Sequence, residues 1–314
     1  MMTDLHRQQK VAILLPVHNA LPYTKKTLEN LRQLLSSDSL NSIGFDFELV
    51  VVDDGSTDGT SEWIQANFPF VHVLSGDGTL WWSGGINRAA AYALSDLNAA
   101  YLLLWNNDIV AGEDYFPALC RILSENKPEI IVGSKVYIAG ADNILWSMGG
   151  YFNRRSGVKY PVGFGEPDSE TYRQPLDVDW LPGMGTCLHR SVIEKIGYWD
   201  EVHFPQYHGD SDFTCRAREN GFILRVYPEL KLWNHTDHTG ALHQGRWKDL
   251  LRSFSSVRSN YHLGKDMMFY SRHGKGVFCY YGLLVKYLRY VGGFFKGKLS
   301  GALGISRKNH SIQS

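Results

Sequence analysis

The sequence of 314 residues predicts an α/β fold with a largely parallel, doubly wound sheet. Short continuous apolar runs, each ended by a turn, are typical of strands that are buried on both faces of a sheet. Helix-length stretches separate these runs, and polar or acidic residues follow nearly every run. The apolar runs are residues 11–17, 47–52, 71–74, 101–105 and 130–137.

Strands and helices alternate four times, which predicts right-handed βαβ units. The predicted helices cover residues 23–35, 61–67, 86–94 and 114–126, and the first has a proline near its start. Residues 140–179 are rich in Gly, Pro and aromatic side chains, so we expect irregular or antiparallel structure there. Ordered elements return at 181–189, 191–196, 210–220 and 223–227. In such a sheet, ligands bind beyond the carboxyl ends of the strands.

The composition excludes several classes of protein. It is 44% apolar and 20% charged, as in ordinary soluble domains. The 32 basic and 32 acidic residues balance, which argues against a surface made for nucleic acid. The four cysteines are far apart with no Cys-x-x-Cys pair, and no signal peptide is apparent at the start. We therefore expect a reduced, cytoplasmic protein.

The C-terminal part of the chain is basic and looks helical over residues 246–295. From Leu263 onward it carries nine Lys or Arg residues and a single acid, Asp266. Lys286 and Arg289 interrupt its apolar run, which disfavours a membrane-spanning helix. Interleaved aromatic and basic residues suit a helix on the anionic inner face of the plasma membrane. A helix packed on the domain with its basic residues in water is the alternative, and both stay open.

Acidic residues follow the second and fourth strands. After the second strand, Asp53 or Asp54 could accept hydrogen bonds from a nucleoside base or ribose, or could simply cap the turn. After the fourth, Asp108 closes the string Asn-Asn-Asp. One carboxylate is enough for Mg²⁺ or Mn²⁺ when phosphate oxygens and water supply the remaining ligands. An Asx turn into the next helix is the alternative for Asp108.

Three further segments carry candidate chemistry. His208-Gly-Asp210-Ser-Asp212 precedes a helix, and either acid could take a proton from an attacking hydroxyl or could serve the helix N-terminus. His235 and His238 could supply one imidazole to a metal or be ordinary surface histidines. The string WWSGGINR, residues 81–88, opens a helix where backbone amides could meet a phosphate, although its Trp pair could equally be core.

Together, six ordered strings resemble the family 2 glycosyltransferases over roughly residues 10–240. They are VAILLPVHNA, ELVVVDDGSTDGT, LWWSGGINRAA, YLLLWNNDIV, LPGMGTCLHRSVIEKIGYWDE and HGDSDFTCRARENGF. The resemblance implies a GT-A fold in residues 1–240, with a donor half at about 10–138 and an acceptor half at 139–240. Residues 241–314 are then a C-terminal helical basic tail.

The resemblance also implies roles for individual residues. Asp210 is the expected catalytic base of an inverting transfer, although Gly209 stands where the family usually has an acid. Asp108 is the expected ligand of a divalent cation, Mg²⁺ or Mn²⁺, with His235 or His238 as a further ligand, although Asn106 replaces the first Asp of the family's Asp-x-Asp motif. The nucleotide-binding residues expected are Pro16, His18, Asp53, Asp54, Gly85, Asn87, Arg88 and Asn107. The residues expected at the sugar or acceptor pocket are Trp82, Gly183, Met184, Gly185 and Asp212.

The implied partners are a nucleotide-diphospho-sugar donor and a saccharide or lipid-linked acceptor. The strings LWWSGGINRA and GMGTCLHR resemble bacterial rhamnosyltransferases of surface polysaccharide assembly, which makes dTDP-rhamnose a hypothesis for the donor. A nucleotidyltransferase and an inactive nucleotide-sugar-binding module are the alternatives. The first should carry a Gly-rich basic loop after the first strand, and the second does not need acids at both Asp108 and Asp210.

Overall fold

A mixed sheet runs through the centre of the molecule, with helices on both faces. The computed structural model describes residues 8–36, 44–141, 143–235 and 246–302. The strands lie in the order β10-β12-β6-β11-β4-β1-β2-β3, with β5 beside β12 and β7 beside β6. They are β1 (Gln9–Val17), β2 (Phe45–Asp53), β3 (His72–Ser75), β4 (Tyr101–Leu104), β5 (Ile109–Ala111), β6 (Ile130–Ile138), β7 (Leu145–Ser147), β10 (Leu176–Asp177), β11 (Cys187–His189) and β12 (Ile223–Asn234).

Alternate residues of the central strands supply two separate cores. In β1, Ile13 and Leu15 belong to one apolar cluster and Ala12 and Leu14 to the other, and all four are buried. Helices α1 (Leu21–Leu35), α2 (Thr60–Asn67) and α4 (Tyr115–Glu125) cover the first face. Helices α3 (Trp81–Ser95), α5 (Arg190–Ile196) and α6 (Gly209–Glu219) cover the second. The predicted α/β class is confirmed, and burial on both faces explains the continuous apolar runs.

The sheet is less uniformly parallel than the strand pattern predicts. Strands β1, β2, β3 and β4 pair in parallel, as do β6 and β12. The three-residue strand β11 lies antiparallel between β4 and β6. The run 223–227, predicted to end at residue 227, continues as β12 to Asn234 across a bulge after Tyr227.

Residues 140–179 form the antiparallel structure expected of them. Strands β8 (Gly150–Phe152) and β9 (Lys159–Pro161) make a separate two-stranded sheet, and a 3₁₀ turn covers Glu170–Tyr172. Lys135 is fully buried at the base of this region, where its Nζ lies 2.6 Å from Asp168 Oδ1. Within residues 140–179, β7 pairs with β6 and β10 pairs with β12, so this region lies beside those two strands of the central sheet.

The C-terminal segment packs against the α/β part of the chain. It contains α7 (Trp247–Ser253), α8 (Leu263–His273), a 3₁₀ turn (Val277–Cys279) and α9 (Tyr280–Ala302). Phe269 and Tyr270 of α8 share a buried cluster with Phe152 of β8 and Phe204. No helix in the described part of the chain is both long and apolar enough to cross a bilayer. The proposed boundary between residues 240 and 241 lies outside the described residues, and the domain division stays a prediction.

Candidate active site

One cleft of about 970 Å³ opens at the carboxyl ends of the parallel strands β1, β2 and β4. This is the edge where a parallel sheet places its ligands. Six of the residues singled out from the sequence line it: Pro16, His18, Asp54, Trp82, Asn107 and Asp108. They come from four different segments of the chain, so the fold rather than any local motif brings them together.

The loops after β1 and β2 are joined by a set of hydrogen bonds. The Nδ1 of His18 lies 2.6 Å from the carbonyl oxygen of Asp54, and since a carbonyl only accepts, Nδ1 carries the proton. The other ring nitrogen then accepts from the Asn19 side chain at 3.0 Å. Asn19 has a left-handed backbone, with φ of 47°, and its side-chain oxygen accepts from the Thr57 amide at 2.8 Å. The loop that carries His18 is therefore held in one shape.

Asp54 organises the start of α3. One of its carboxylate oxygens accepts from the Gly78 amide at 2.8 Å, and the other accepts from the Trp81 amide at 2.9 Å. The second bond satisfies a backbone donor at the beginning of the helix. Helix α3 begins at Trp81, the first residue of the string expected to open a helix, and Asp54 itself remains at the edge of the cleft.

Trp82 connects this helix to the loop after β4. Its indole Nε1 donates to Asn106 Oδ1 at 3.0 Å. The residue that replaces the first Asp of the family's motif thus accepts the indole hydrogen bond through its amide oxygen. Next to it, the backbone carbonyl of Asn107 accepts from the Thr27 hydroxyl at 2.8 Å. Asn106 and Asn107 both line the cleft beside Asp108.

Asp108 and His235 lie side by side across the pairing of β5 with β12. The His235 amide donates to the carbonyl of Asp108 at 2.9 Å. In the described residues, no group of three or more His, Cys, Asp or Glu side chains is placed to hold a metal. The donor set nevertheless fits a divalent cation bound to a diphosphate, because such a cation needs only one or two protein ligands. Asp108 lines the cleft and is the carboxylate that would hold it, whereas His235 adjoins Asp108 through the backbone and does not line the cleft.

The predicted base, Asp210, is partly buried in the first turn of α6. Its Oδ2 accepts from the Gly183 amide at 3.1 Å and its Oδ1 from the Ser211 amide at 2.7 Å. Burial raises the pKa of this carboxyl, while the charge of Lys159 opposes the rise. Asp210 does not line the cleft itself. The Trp82 ring does line the cleft. It packs closely against Gly209, which precedes Asp210 in the sequence, and against Gly183, whose amide donates to Asp210.

Glycine at position 209 has a steric reason. A Cβ built on Gly209 would collide with the Ser83 hydroxyl and would lie 3.5 Å from the Trp82 ring. The acid that the family usually carries here would displace the Ser83 hydroxyl from its hydrogen bond to the Phe204 carbonyl. The departure from the family pattern at this position is therefore part of the close packing between α3 and α6.

A network of buried charges lies behind Asp210. The Nζ of Lys159 is 2.8 Å from Ser211 Oγ and sits over the rings of Trp180 and Phe269 at 4.6 and 4.4 Å. Burial lowers the pKa of Lys159 to about 8, against the opposing charge of Asp210. Burial and the neighbouring lysine also lower the pKa of His208 to about 4. His208 Nε2 lies 2.8 Å from Asp266 of α8, which links the C-terminal segment directly to the loop before the predicted base.

Asp212, a residue expected at the sugar or acceptor pocket, lies among buried ion pairs. Asp212 is fully buried and does not line the cleft. Its carboxylate contacts Arg216 at 3.0 Å, Arg272 at 2.7 Å and His273 at 2.9 Å. These partners come from α6 and α8, so Asp212 joins the C-terminal segment to the α/β part of the chain.

Four residues expected to bind the nucleotide do not line the cleft either. Asp53 is buried and accepts from the Ser56 amide at 2.9 Å, as a turn-capping residue does. A Cβ on Gly85 would come within 2.8 Å of Pro16, so this glycine allows α3 to approach β1. The side-chain NH₂ of Asn87 donates to the Trp199 carbonyl at 2.9 Å, and its side-chain oxygen accepts from the Trp199 amide at 3.0 Å. Arg88 is exposed on the helix surface.

The predicted glycine turn after residue 182 has mixed outcomes. Gly183 supplies the amide that bonds Asp210, as described above. Met184 is buried in the core of the first face, and Gly185 has a φ of 67° with no room for a side chain beside Ser134 and Leu232. Of these three residues, only Gly183 therefore contacts the predicted base, Asp210. His238, the other candidate ligand, lies outside the described residues.

Much of the cleft wall consists of residues that no sequence motif indicates. Gln206 and Tyr207 line it from the loop before α6, and the Gln206 side chain accepts from the Trp82 amide at 3.3 Å. A second group comes from α7 and the turn that follows: Asp249, Arg252, Ser253, Ser256 and Arg258. Their basic and hydroxyl side chains fit an anionic ligand, but no local pattern in the sequence indicates that they face the cleft.

Comparisons with known proteins agree with this picture. The family model described as glycosyl transferase family 2 matches residues 12–180. The "Probable glycosyltransferase YdaM" of Bacillus subtilis is 23% identical over 240 residues, which are 73% of this chain and 51% of that protein. The chain thus spans about half the length of this relative.

A second relative and a solved structure extend the comparison. The "N-acetylglucosaminyl-diphospho-decaprenol L-rhamnosyltransferase" of Mycobacterium tuberculosis is 25% identical over 61% of this chain and 67% of its own length. The crystal structure of GalNAc-T7 with UDP, GalNAc and Mn²⁺ aligns with a TM-score of 0.55 and 11% identity, over 89% of this chain and 57% of that one. At this identity the structural likeness shows the fold, and it confirms the GT-A fold expected from the motifs.

Proposed function

Because the chain belongs to glycosyl transferase family 2, we propose that it transfers a sugar from a nucleotide diphosphate to an acceptor hydroxyl with inversion. The observation that carries the proposal is the cleft at the carboxyl edge of the sheet. It brings His18 and Asp54 together with Asp108, whose backbone contacts His235. This combination suits a nucleoside at one end and a metal-bound diphosphate at the other.

The donor half of the proposal rests on the loops after β1, β2 and β4. Asp54 and the fixed His18 loop border the space for the nucleoside, and Asn107 lies next to Asp108 on the same wall. A divalent cation, Mg²⁺ or Mn²⁺, would neutralise the charge that develops on the departing diphosphate. Asp108 and His235 are the proposed ligands, and the carboxylate of Asp108 supplies the only negative charge among them.

The transfer step uses Asp210 as general base. The acceptor oxygen forms a bond to the anomeric carbon, its proton passes to the Asp210 carboxylate, and the bond between that carbon and the diphosphate breaks. The electron pair leaves with the nucleoside diphosphate. A single in-line displacement inverts the anomeric configuration. The pKa of Asp210 is raised by burial, which makes it a stronger base than an exposed aspartate.

The donor sugar is proposed from the resemblance to rhamnosyltransferases and from the name of one relative. The M. tuberculosis relative is named as an L-rhamnosyltransferase that acts on a diphospho-decaprenol compound. We propose dTDP-rhamnose as the donor and a saccharide or lipid-linked saccharide of bacterial surface polysaccharide assembly as the acceptor. The four cysteines are all buried and unpaired, which agrees with a cytoplasmic site of action.

Contact with an anionic membrane surface is part of the same proposal. The outer face of α9 and the turn before it carry apolar side chains that are 46–79% exposed. They are Val277, Phe278, Tyr281, Leu284, Leu288, Phe295 and Leu299. Helix α9 also contains Arg289, Lys296 and Lys298 on its exposed surface and has no acidic residue. An apolar stripe flanked by basic side chains suits the interface of an anionic bilayer.

A donor screen tests the proposed function. The full-length protein is incubated with Mn²⁺, free or lipid-linked saccharide acceptors and a panel of nucleotide sugars, and products are identified by mass spectrometry and NMR. We expect a glycosylated product from dTDP-rhamnose with the anomeric configuration inverted. Retention of configuration would refute the mechanism, and a product only from another sugar would remove the rhamnose assignment. Donor binding without any transfer would favour the inactive binding module.

A further inference from the structure

The C-terminal segment contributes a polar wall to the cleft. Ser253 of α7 and Ser256 of the following turn line the cleft together with two arginines, Arg252 and Arg258. Asp108 and the loop after β1 line the same cleft. The wall therefore borders the same cleft in which the proposed function puts phosphate groups.

Both arginines are available to a ligand. Each is exposed, and among the described residues neither has a carboxylate within ion-pair distance. The one acid on this wall, Asp249, is already paired with Arg246 at 3.2 Å. Two cations with no carboxylate partner in a concave polar site are an arrangement that attracts an anion.

The wall is held in position at both of its ends. The guanidinium of Arg258 lies 5.5 Å from the Trp81 ring, and the backbone of Trp81 is fixed by its bond to Asp54. At the start of α7, Trp247 packs edge-to-face on Phe294 and Phe295 of α9 at 5.0 and 5.3 Å. Both arginines therefore stand on an anchored segment rather than on a loose tail.

From these observations we infer that Arg252 and Arg258 form a phosphate-binding site on the C-terminal wall of the cleft. A guanidinium presents paired N–H donors that match the oxygens of a phosphate, and such charge-assisted bonds are about twice as strong as neutral ones. The inference rests on the proposed function, since that function puts two kinds of phosphate here: the diphosphate of the nucleotide sugar and the phosphate of a lipid-linked acceptor.

The test uses Arg252→Gln, Arg258→Gln and the double variant in the full-length chain. Arg155→Gln is the matched control, because Arg155 is also an exposed arginine but does not line the cleft. Calorimetry with Mn²⁺ measures the Kd of pyrophosphate, dTDP and thymidine. If the donor diphosphate is the ligand, we expect each single variant to raise the Kd of pyrophosphate and dTDP about tenfold, with thymidine unaffected.

A second arm identifies the acceptor as the source of the phosphate. If dTDP binds normally to the variants but the KM for a lipid-linked diphosphate acceptor rises about tenfold, with the KM for the free saccharide unchanged, the site serves the acceptor. Variants that match Arg155→Gln in both arms overturn the inference, and so does a wild-type chain that binds none of the phosphate ligands.

The same data separate this inference from the proposed function. Weakened pyrophosphate binding in the variants supports the phosphate site even if the wild-type chain transfers no sugar from any donor. Normal transfer by a wild-type chain whose arginine variants are indistinguishable from Arg155→Gln leaves the proposed function standing and removes the site.

Discussion

Replacing Asp212 with alanine should destabilise the protein, because this buried carboxylate joins α6 to α8. Its three partners are Arg216, Arg272 and His273, at 2.7–3.0 Å. Breaking a buried ion pair by removing one partner costs about 3–5 kcal/mol, since the remaining charge is left uncompensated. Arg272 keeps a second carboxylate, Asp200 at 2.8 Å, and His273 keeps Glu219 at 2.9 Å. We therefore expect the lower end, about 3 kcal/mol.

The matched control is Asp177→Ala, which removes an exposed ion pair. The Asp177 side chain is 57% exposed and pairs with Arg225 at 2.5 Å, so its loss should cost about 0–1 kcal/mol. Urea unfolding followed by tryptophan fluorescence gives both free energies of unfolding. In a thermal scan, a loss of about 3 kcal/mol corresponds to a fall in Tm of about 4–5 °C for a chain of this size. The reasoning is refuted if Asp212→Ala is no less stable than Asp177→Ala.

Three other outcomes are expected. Asp108→Ala should raise the Kd of dTDP in Mn²⁺ at least about tenfold and abolish the difference between Mn²⁺ and EDTA; an unchanged metal effect would remove Asp108 as a ligand. Burial would raise the pKa of Asp200, but hydrogen bonds from His203 and Arg272 lower it to about 2. Its contribution to stability is therefore present above about pH 4 and lost as the pH falls toward 2. In Asp200→Asn, the free energy of unfolding measured in urea should depend less on pH within that range. A pH dependence equal to that of the wild type would contradict this. The double variant Leu284→Asp/Leu288→Asp should co-sediment with phosphatidylglycerol vesicles at least about tenfold more weakly than Val202→Asp, a control at a still more exposed apolar site off α9; equal binding would refute the membrane contact.

The positions of His18, Asp54 and Asp108 at one cleft could be predicted because of the way parallel strands are buried. Strands β1, β2 and β4 are covered on both faces, so their sequences are continuous apolar runs with clear ends. Parallel strands place those ends at a common edge. The residues just after each run therefore meet in space, and that inference needs no side-chain detail.

Other features depend on contacts that no local pattern records. Strand β11 has three residues, and its antiparallel place between β4 and β6 follows from pairing across the sheet. In the sequence, Asp212 has the pattern of a helix N-terminal acid, as its neighbour Asp210 does. Its burial against Arg272 follows only from the packing of α8. Arg252 and Arg258 line the cleft from a segment that contacts α9 through Trp247 and Phe294, and no local sequence pattern indicates this contact.

The most direct test of the central claim is the transfer rate of Asp210→Asn beside its donor affinity. With the donor and acceptor found in the screen, kcat should fall about 10²-fold or more, because a positioned general base contributes about 10²–10⁴-fold. The Kd of the nucleoside diphosphate should stay within about twofold of wild type, since Asp210 does not line the cleft where the nucleotide binds. Transfer by Asp210→Asn at the wild-type rate would contradict the proposed mechanism.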